Sequence, residues 1–133
     1  MILVVIGKRQ MVFVKSLHDP DWNCKIDEGL GGLAHARWGP NNNYVMTISD
    51  FKVRLNVWGL ADRSVQYIRS PKHDDNRGLS FSNNGKFMAL AERSAEGKDS
   101  VGLYDVSGKP WACLHHFNPD TFDLEDLRFS GVD

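Results

Sequence analysis

Apolar and polar residues alternate along short segments of the chain, and turn-forming residues separate these segments. In residues 22–28, for example, Trp22, Cys24 and Ile26 fall on one side and polar residues on the other. Alternation of this kind predicts half-buried β-strands, whereas no window of eleven or more residues has the apolar period of a helix. The sequence therefore predicts an all-β, antiparallel fold. The predicted strands cover residues 2–8, 11–17, 22–28, 33–38, 44–49, 54–60, 64–70, 78–82, 86–92, 100–106, 111–117 and 124–130.

The chain contains an internal repeat. WGPNNNYVMTIS begins at Trp38 and FSNNGKFMALAE begins 43 residues later at Phe81, and each reads aromatic residue, polar turn, aromatic residue, apolar strand. A third type of strand carries Lys15, Trp58 and Tyr104 near its end, at intervals of 43 and 46 residues. A period of about 40–45 residues with four strands in each unit is typical of a β-propeller blade.

The predicted strands begin and end part-way through a unit. If the strands of a blade are named a to d from the central axis outward, the chain reads b-c-d, a-b-c-d, a-b-c-d, a. We therefore expect strands b to d of a first blade at residues 1–28, whole blades at 29–70 and 74–118, and the first strand of a further blade at 124–133. Three blades' worth of strands do not close a ring. Exposed blade edges would then favour self-association, for example of two chains into one ring.

Composition narrows the class of protein. The chain has 133 residues, of which 41% are apolar and 25% are charged, as in a single globular domain. Its formal charge of −1 lacks the basic excess of nucleic-acid-binding proteins. The first ten residues, MILVVIGKRQ, do not have the order of a signal peptide, and no apolar run is as long as a membrane span. We therefore expect a cytoplasmic, or else nuclear, protein that binds neither nucleic acid nor membrane.

Histidines and glycine-rich segments form no catalytic or ligand-binding pattern. His115 and His116 are adjacent on a predicted strand, so their side chains should point to opposite faces. His18 and His73 fall in predicted turns, where solvated side chains are expected. The segments EGLGG and GKDS lack the spacing of phosphate-binding loops. The sequence predicts no catalytic residue, no metal site and no cofactor, and therefore no enzyme.

The cysteines and tryptophans fit the strand pattern. Cys24 and Cys113 are far apart and have no metal-ligand spacing, so both are predicted to be reduced, half-buried strand residues. A disulfide or a reactive thiol is the alternative interpretation. The tryptophans occupy positions tied to the repeat, which favours blade-core packing over stacking on nucleic-acid bases. They are Trp22, Trp38, Trp58 and Trp111.

The repeated unit resembles the WD-repeat β-propellers, in WGPNNNYVMTISDFKVRLNVWGL and in FSNNGKFMALAERSAEGKDSVGLYDV. The resemblance implies a partial propeller of about three blades' worth of strands. The Gly-His dipeptide of the family is absent, only Tyr104-Asp105 approaches its Trp-Asp, and Lys15 stands where an aromatic residue is usual. These departures imply blades that rely on apolar packing rather than on the hydrogen bonds of the family.

Longer phrases, such as WNCKIDEGLGGLAHARWGP and FSNNGKFMALAER, resemble the WD repeat-containing protein eight family of centrosome and spindle-pole proteins. This resemblance implies an interior slice of a complete propeller that acts as a non-catalytic protein-interaction scaffold. It also implies two partners, a coiled-coil spindle-pole anchoring protein and, through it, a minus-end-directed kinesin. Two alternatives stay open. One is an RNA- or ribosome-associated propeller of the translation-initiation-factor type, and the other is the non-catalytic propeller of a larger hydrolase.

The loops are the candidate binding residues. In propellers the d–a and b–c connections lie on one face, and here they are residues 27–32, 50–52, 72–77, 94–99 and 118–123. They mix both signs of charge, which favours recognition of protein over nucleic acid. Asp50 has a second interpretation, as the cap of its own turn. The residues that we expect to contact a partner are Asp27, Glu28, Asp50, Lys52, His73, Asp74, Asp75 and Arg77.

Overall fold

The computed structural model of the chain contains eleven β-strands within the residues that it describes. It describes residues 2–6, 11–19, 21–27, 33–40, 43–48, 54–69, 71–73, 77–94, 96–119 and 123–130. The strands are β1 (Ile2–Ile6), β2 (Met11–Lys15), β3 (Asn23–Asp27), β4 (His35–Trp38), β5 (Tyr44–Ile48), β6 (Arg54–Gly59), β7 (Val65–Arg69), β8 (Leu79–Phe81), β9 (Phe87–Arg93), β10 (Asp99–Asp105) and β11 (Ala112–Phe117). Within the described residues there is no α-helix, and hence none that could span a membrane.

The strands form three antiparallel sheets, each of which follows chain order. The first sheet has the order β1-β2-β3, the second β4-β5-β6-β7 and the third β8-β9-β10-β11. Every neighbouring pair is antiparallel. The predicted all-β class and its four-stranded antiparallel units are confirmed, and the architecture is that of a partial propeller. The exact blade limits at residues 1–28, 29–70, 74–118 and 124–133 stay a prediction.

The same backbone hydrogen bond forms in both copies of the repeated phrase. The Gly39 N–H donates to the Tyr44 carbonyl oxygen over 2.8 Å, and the Ser82 N–H donates to the Phe87 carbonyl oxygen over 2.9 Å. In both cases the bond spans five residues and joins the first two strands of a sheet. Gly85 has φ of +72° in the second turn, a conformation that glycine adopts without a steric penalty. The repeated phrase is therefore joined to the first hairpin of each four-stranded sheet by the same backbone bond.

The second sheet is covered on both faces. Met46 and Ile48 of β5 contribute to one apolar cluster, which joins the second and third sheets. Val45 of the same strand contributes to another cluster, which joins the first and second sheets. Because neighbouring side chains of a strand point to opposite faces, a strand with two covered faces is apolar almost throughout. This explains why β5 is apolar apart from Thr47.

The tryptophans pack into these clusters. Trp111 is buried between the second and third sheets, where its ring meets those of Tyr44 and Phe81 edge to face. Trp58 is half-buried against the other cluster, and its Nε1–H donates to Thr47 Oγ1 over 2.9 Å. A side-chain hydrogen bond therefore accompanies the apolar packing at this position. The remaining two, Trp22 and Trp38, also lie half-buried against this second cluster.

Two expectations are wrong. Residues 124–130 form no strand, because their contacts run to side chains instead of a backbone ladder. The Phe129 N–H donates to Ser80 Oγ, for example. The cysteines are not half-buried: Cys24 is buried in β3, and Cys113 is exposed on β11. Both are free thiols. Leu114 of β11 is exposed as well, but self-association through this outer edge stays a prediction.

Replacement of Met88 by alanine should lower the free energy of unfolding by about 2–5 kcal/mol, because it empties a fully buried position between the second and third sheets. Chemical denaturation with far-ultraviolet circular dichroism measures the change. Leu17→Ala is the matched control, since Leu17 is exposed. Equal effects of the two substitutions would contradict this account of the core.

Candidate protein-interaction surface

Three of the predicted connections meet at the side chain of Lys72. Its Nζ donates to Asp99 Oδ2 over 2.7 Å, to the carbonyl oxygen of Leu124 over 2.5 Å, and to the carboxylate of Asp123. The Lys72 side chain is only 5% exposed and that of Asp99 only 2%. Lys72, Asp99 and Asp123, one residue from each of these connections, therefore meet at one end of the third sheet around the buried ion pair of Lys72 and Asp99.

Asp99 has a second basic partner. Arg93 Nε donates to Asp99 Oδ1 over 2.8 Å, and the Leu124 N–H donates to Oδ2 over 2.9 Å. The Arg93 hydrogen bond, helped by Lys72 and the Leu124 amide, holds the pKa of Asp99 below its usual range although burial opposes this. We call Lys72, Arg93, Asp99 and Asp123 the Lys72 cluster.

The ammonium of Lys72 stays charged despite its burial. Burial by itself lowers the pKa of Lys72, but its hydrogen bonds to Asp123 and Asp99 outweigh that effect and raise the pKa. The carboxyl of Asp123 has its pKa lowered by the same hydrogen bond. A buried ion pair needs such extra hydrogen bonds to offset the cost of desolvation. The cluster therefore serves to fix the loops, and its central lysine is not accessible to a partner.

Residues 123–130 lie against the start of the third sheet through further polar contacts. The Gly78 N–H donates to Asp126 Oδ1 over 2.8 Å, which lowers the pKa of Asp126. His73 Nε2 lies 3.2 Å from the carbonyl oxygen of Leu124, and the His73 ring is half-buried. The expectation of a solvated His73 is therefore wrong, because the segment after residue 122 packs over it.

Around the Lys72 cluster the surface carries alternating charges. Arg77 NH1 lies 3.3 Å from Glu125 Oε2, and Arg128 NH1 lies 2.7 Å from Asp126 Oδ1. The side chains of Arg77 and Glu125 are largely exposed. A surface with both signs of charge side by side suits a protein partner that has mixed charges itself better than a uniformly anionic partner.

The structure describes only part of the predicted binding set. His73 and Arg77 lie beside the Lys72 cluster, and Asp27 is the last residue of β3. The predicted set omitted Arg93, which follows a predicted strand, and Glu125, which lies within the predicted strand at 124–130; Asp123 belongs to a predicted connection but was not singled out. Their charges at the ends of apolar segments were the only available signal. The other predicted residues lie outside the described part of the chain: Glu28, Asp50, Lys52, Asp74 and Asp75.

A second concave surface lies at the opposite ends of the strands, between the second and third sheets. It is a groove of about 300 Å³ that includes the turn before β7 and the turn before β11. Lys109 Nζ lies 2.5 Å from Asp62 Oδ2 at this groove. Gln66 of β7 accepts from the Trp111 N–H over 2.7 Å and donates to the Trp111 carbonyl oxygen over 2.8 Å. These bonds hold the two sheets together at the groove.

Neither surface has the parts of a metal site. Among the described residues, no group of three or more His, Cys, Asp or Glu side chains is arranged to hold a metal ion. The described part of the chain consists of stacked antiparallel sheets with a charged loop surface. This architecture is that of the class of β-propeller repeat proteins.

The chain is similar to one such protein. Over 129 residues it is 39% identical to the mouse WD repeat-containing protein WRAP73. The matched residues cover 97% of this chain and 27% of that protein. No family model matches the chain. The similarity runs through all three sheets and supports the WD-repeat family. The chain thus spans about a quarter of the length of this relative.

Replacement of Asp99 by asparagine should lower the free energy of unfolding by about 3 kcal/mol, because it leaves the buried Lys72 without its buried partner. Urea denaturation at neutral pH measures the loss. Glu125→Gln is the control, since it removes one charge from an exposed ion pair and should change stability much less. A similar loss for both substitutions would show that burial of the pair does not matter.

The contribution of Asp99 should also depend on pH. Its pKa is lower in the folded chain than the value of about 4 in the unfolded chain, so its stabilisation is complete above that value and is lost as the pH falls below it. The difference in unfolding free energy between the native chain and Asp99→Asn should therefore narrow from pH 7 to pH 3. A constant difference over this range would contradict the ion pair.

Proposed function

We propose that this chain is part of a WD-repeat scaffold, without catalytic activity, that binds other proteins in a centrosome or spindle-pole complex which anchors microtubules. We also propose that the chain is a member of the WD repeat-containing protein eight family. Its direct partner is a coiled-coil anchoring protein, through which a minus-end-directed kinesin is attached. The cytoplasm, with concentration at spindle poles, is the compartment that we propose.

The observation that carries the interaction role is the exposed mixed-charge surface around the Lys72 cluster. Arg77 and Glu125 present opposite charges to solvent, and Arg128 and Asp126 repeat the arrangement beside them. A coiled coil presents alternating acidic and basic side chains along its flanks. Such a partner matches this surface in both signs of charge.

The position of the basic side chains supports a protein partner over RNA. Lys72 is buried against two carboxylates, and Arg93 pairs with Asp99. Phosphate recognition depends on basic groups whose counterions are released on binding. Here the two basic residues of the cluster are already neutralised by acidic neighbours, and the chain as a whole has a formal charge of −1.

A charge reversal tests the surface. We expect Arg77→Glu to lower recovery of a coiled-coil spindle-pole protein by about tenfold, or about 1.4 kcal/mol in binding free energy. The substitution places a carboxylate opposite that of Glu125 and removes the positive charge that the acidic side chains of the partner would meet. The measurement is affinity purification of the tagged chain from dividing cells with quantitative mass spectrometry. Fluorescence imaging of the same fusion measures its enrichment at spindle poles.

Lys109→Glu is the matched control. It makes the same change of charge in another exposed ion pair, at the opposite ends of the strands. Recovery should be unchanged for this variant. Equal losses for the two variants, or no enrichment of the native chain at spindle poles, would contradict the proposal. Recovery of RNA that disappears at higher salt would favour the translation-initiation-factor alternative.

A further inference from the structure

The outer strand of the third sheet contains a β-bulge. Along β10 and β11, Leu103 pairs with His115 and Tyr104 pairs with Cys113, so Leu114 is an extra residue without a partner. In a regular strand, residues 113 and 116 are an odd number of positions apart and point to opposite faces. The extra residue reverses this relation and places Cys113 and His116 on the same face.

The two side chains lie in contact on that face, and a carboxylate continues the chain of contacts. Cys113 Sγ lies 3.4 Å from His116 Nδ1, and His116 Nε2 lies 3.1 Å from Glu92 Oε2. The Tyr104 hydroxyl donates to the other oxygen of Glu92 over 2.6 Å. His115, by contrast, stacks on the ring of Phe117. A thiol, an imidazole and a carboxylate in this order have the arrangement of a nucleophile, a base and an orienting group.

The hydrogen bonds of Glu92 decide which ring nitrogen of His116 is a hydrogen-bond acceptor. Burial and the hydrogen bond to Glu92 raise the pKa of Tyr104, so its hydroxyl keeps its proton and donates to Oε1 of Glu92. The carboxylate therefore acts as an acceptor on both oxygens, and the proton of the neutral imidazole lies on Nε2. Cys113 Sγ lies 3.4 Å from Nδ1 and 3.9 Å from Nε2, so the nearer nitrogen is the one that carries the lone pair and is able to accept the thiol proton.

The site lies in the seam between the second and third sheets, open to solvent on its outer side. Tyr104 belongs to the apolar cluster that joins these sheets, and Glu92 forms a β-bridge with Pro71. The Glu92 side chain is only 12% exposed, whereas that of His116 is 51% exposed and Cys113 is exposed. Gly102 provides the space, because a Cβ there would lie 2.2 Å from Glu92 Oε1. The orienting carboxylate is thus largely buried while the thiol is accessible.

We propose that Cys113 is a thiol modification site that reacts with small hydroperoxides, with His116 as its base and Glu92 as the residue that orients the base. His116 Nδ1 takes the thiol proton, and the thiolate sulfur attacks the nearer oxygen of the peroxide. A sulfur–oxygen bond forms and the oxygen–oxygen bond breaks. The leaving hydroxide or alkoxide receives the proton from His116. Cysteine is oxidised to sulfenic acid and the peroxide is reduced to water or an alcohol, and a thiol reductant reverses the change.

The test uses the 133-residue chain, hydrogen peroxide as the oxidant and dimedone as the trap for sulfenic acid. Mass spectrometry follows the rate of labelling at each cysteine. Cys113 should be labelled and Cys24 should not, because Cys24 is buried in a different sheet. His116→Gln should slow labelling of Cys113 by at least about tenfold, since it removes a positioned base. Cys113→Ser should abolish the signal.

His115→Gln is the matched control, because it removes the neighbouring histidine, which does not face the thiol. Its labelling rate should equal that of the native chain. Glu92→Gln leaves His116 in place and should also slow the reaction, since an amide holds the Nε2 proton less strongly than a carboxylate. Thermal melting of each variant shows whether it is folded. Equal rates in the native chain and His116→Gln, equal slowing by both histidine variants, or labelling of Cys24 as fast as Cys113 would overturn the proposal.

Discussion

Burial of both faces of the second sheet is the constraint on which the rest of the structure depends. An antiparallel sheet with one apolar face needs one neighbour, but β5 and β6 carry apolar side chains on both faces and need two. The first and third sheets supply them through two separate apolar clusters. Because consecutive sheets stack in this way, the hairpins and loops of each sheet come to lie beside those of the next. The charged surface around the Lys72 cluster and the groove at the opposite ends of the strands both follow from that stacking.

The Lys72 cluster shows how side-chain contacts order the loops that connect the strands. Two of its members are buried ions, which would be costly if they were unpaired. Each has several partners from separate stretches of the chain, so the loops are fixed with respect to one another. The exposed charges outside this buried pair, such as Arg77 and Glu125, are therefore presented on an ordered base. A scaffold that binds proteins benefits from this order, because fewer side chains and loops have to be immobilised on binding.

Much of the fold was predictable from local pattern, because strand formation and hairpin turns depend on nearby residues. Eleven of the predicted strand positions contain strands, and the two repeated phrases are closed by the same backbone hydrogen bond. Residues 124–130 were misassigned because apolar alternation indicates a strand but does not supply the neighbour with which a strand must pair. His73 was expected in solvent for a similar reason. The segment that covers it is about 50 residues away in the sequence, and a turn motif carries no information about such distant contacts.

The sequence by itself determined the class of fold, the repeat and the positions of the turns between strands. These follow from the alternation of side chains along a strand and from the residues that favour turns. Only the tertiary structure decided which side chains meet. Lys72 and Asp99 were both visible as loop charges, but their pairing depends on two loops that the stacking of strands brings together. The alternation rule by itself places residues 113 and 116 on opposite faces of a strand. One unpaired residue, Leu114, reverses that rule, because a bulge is a property of the pairing between two strands and not of either strand alone.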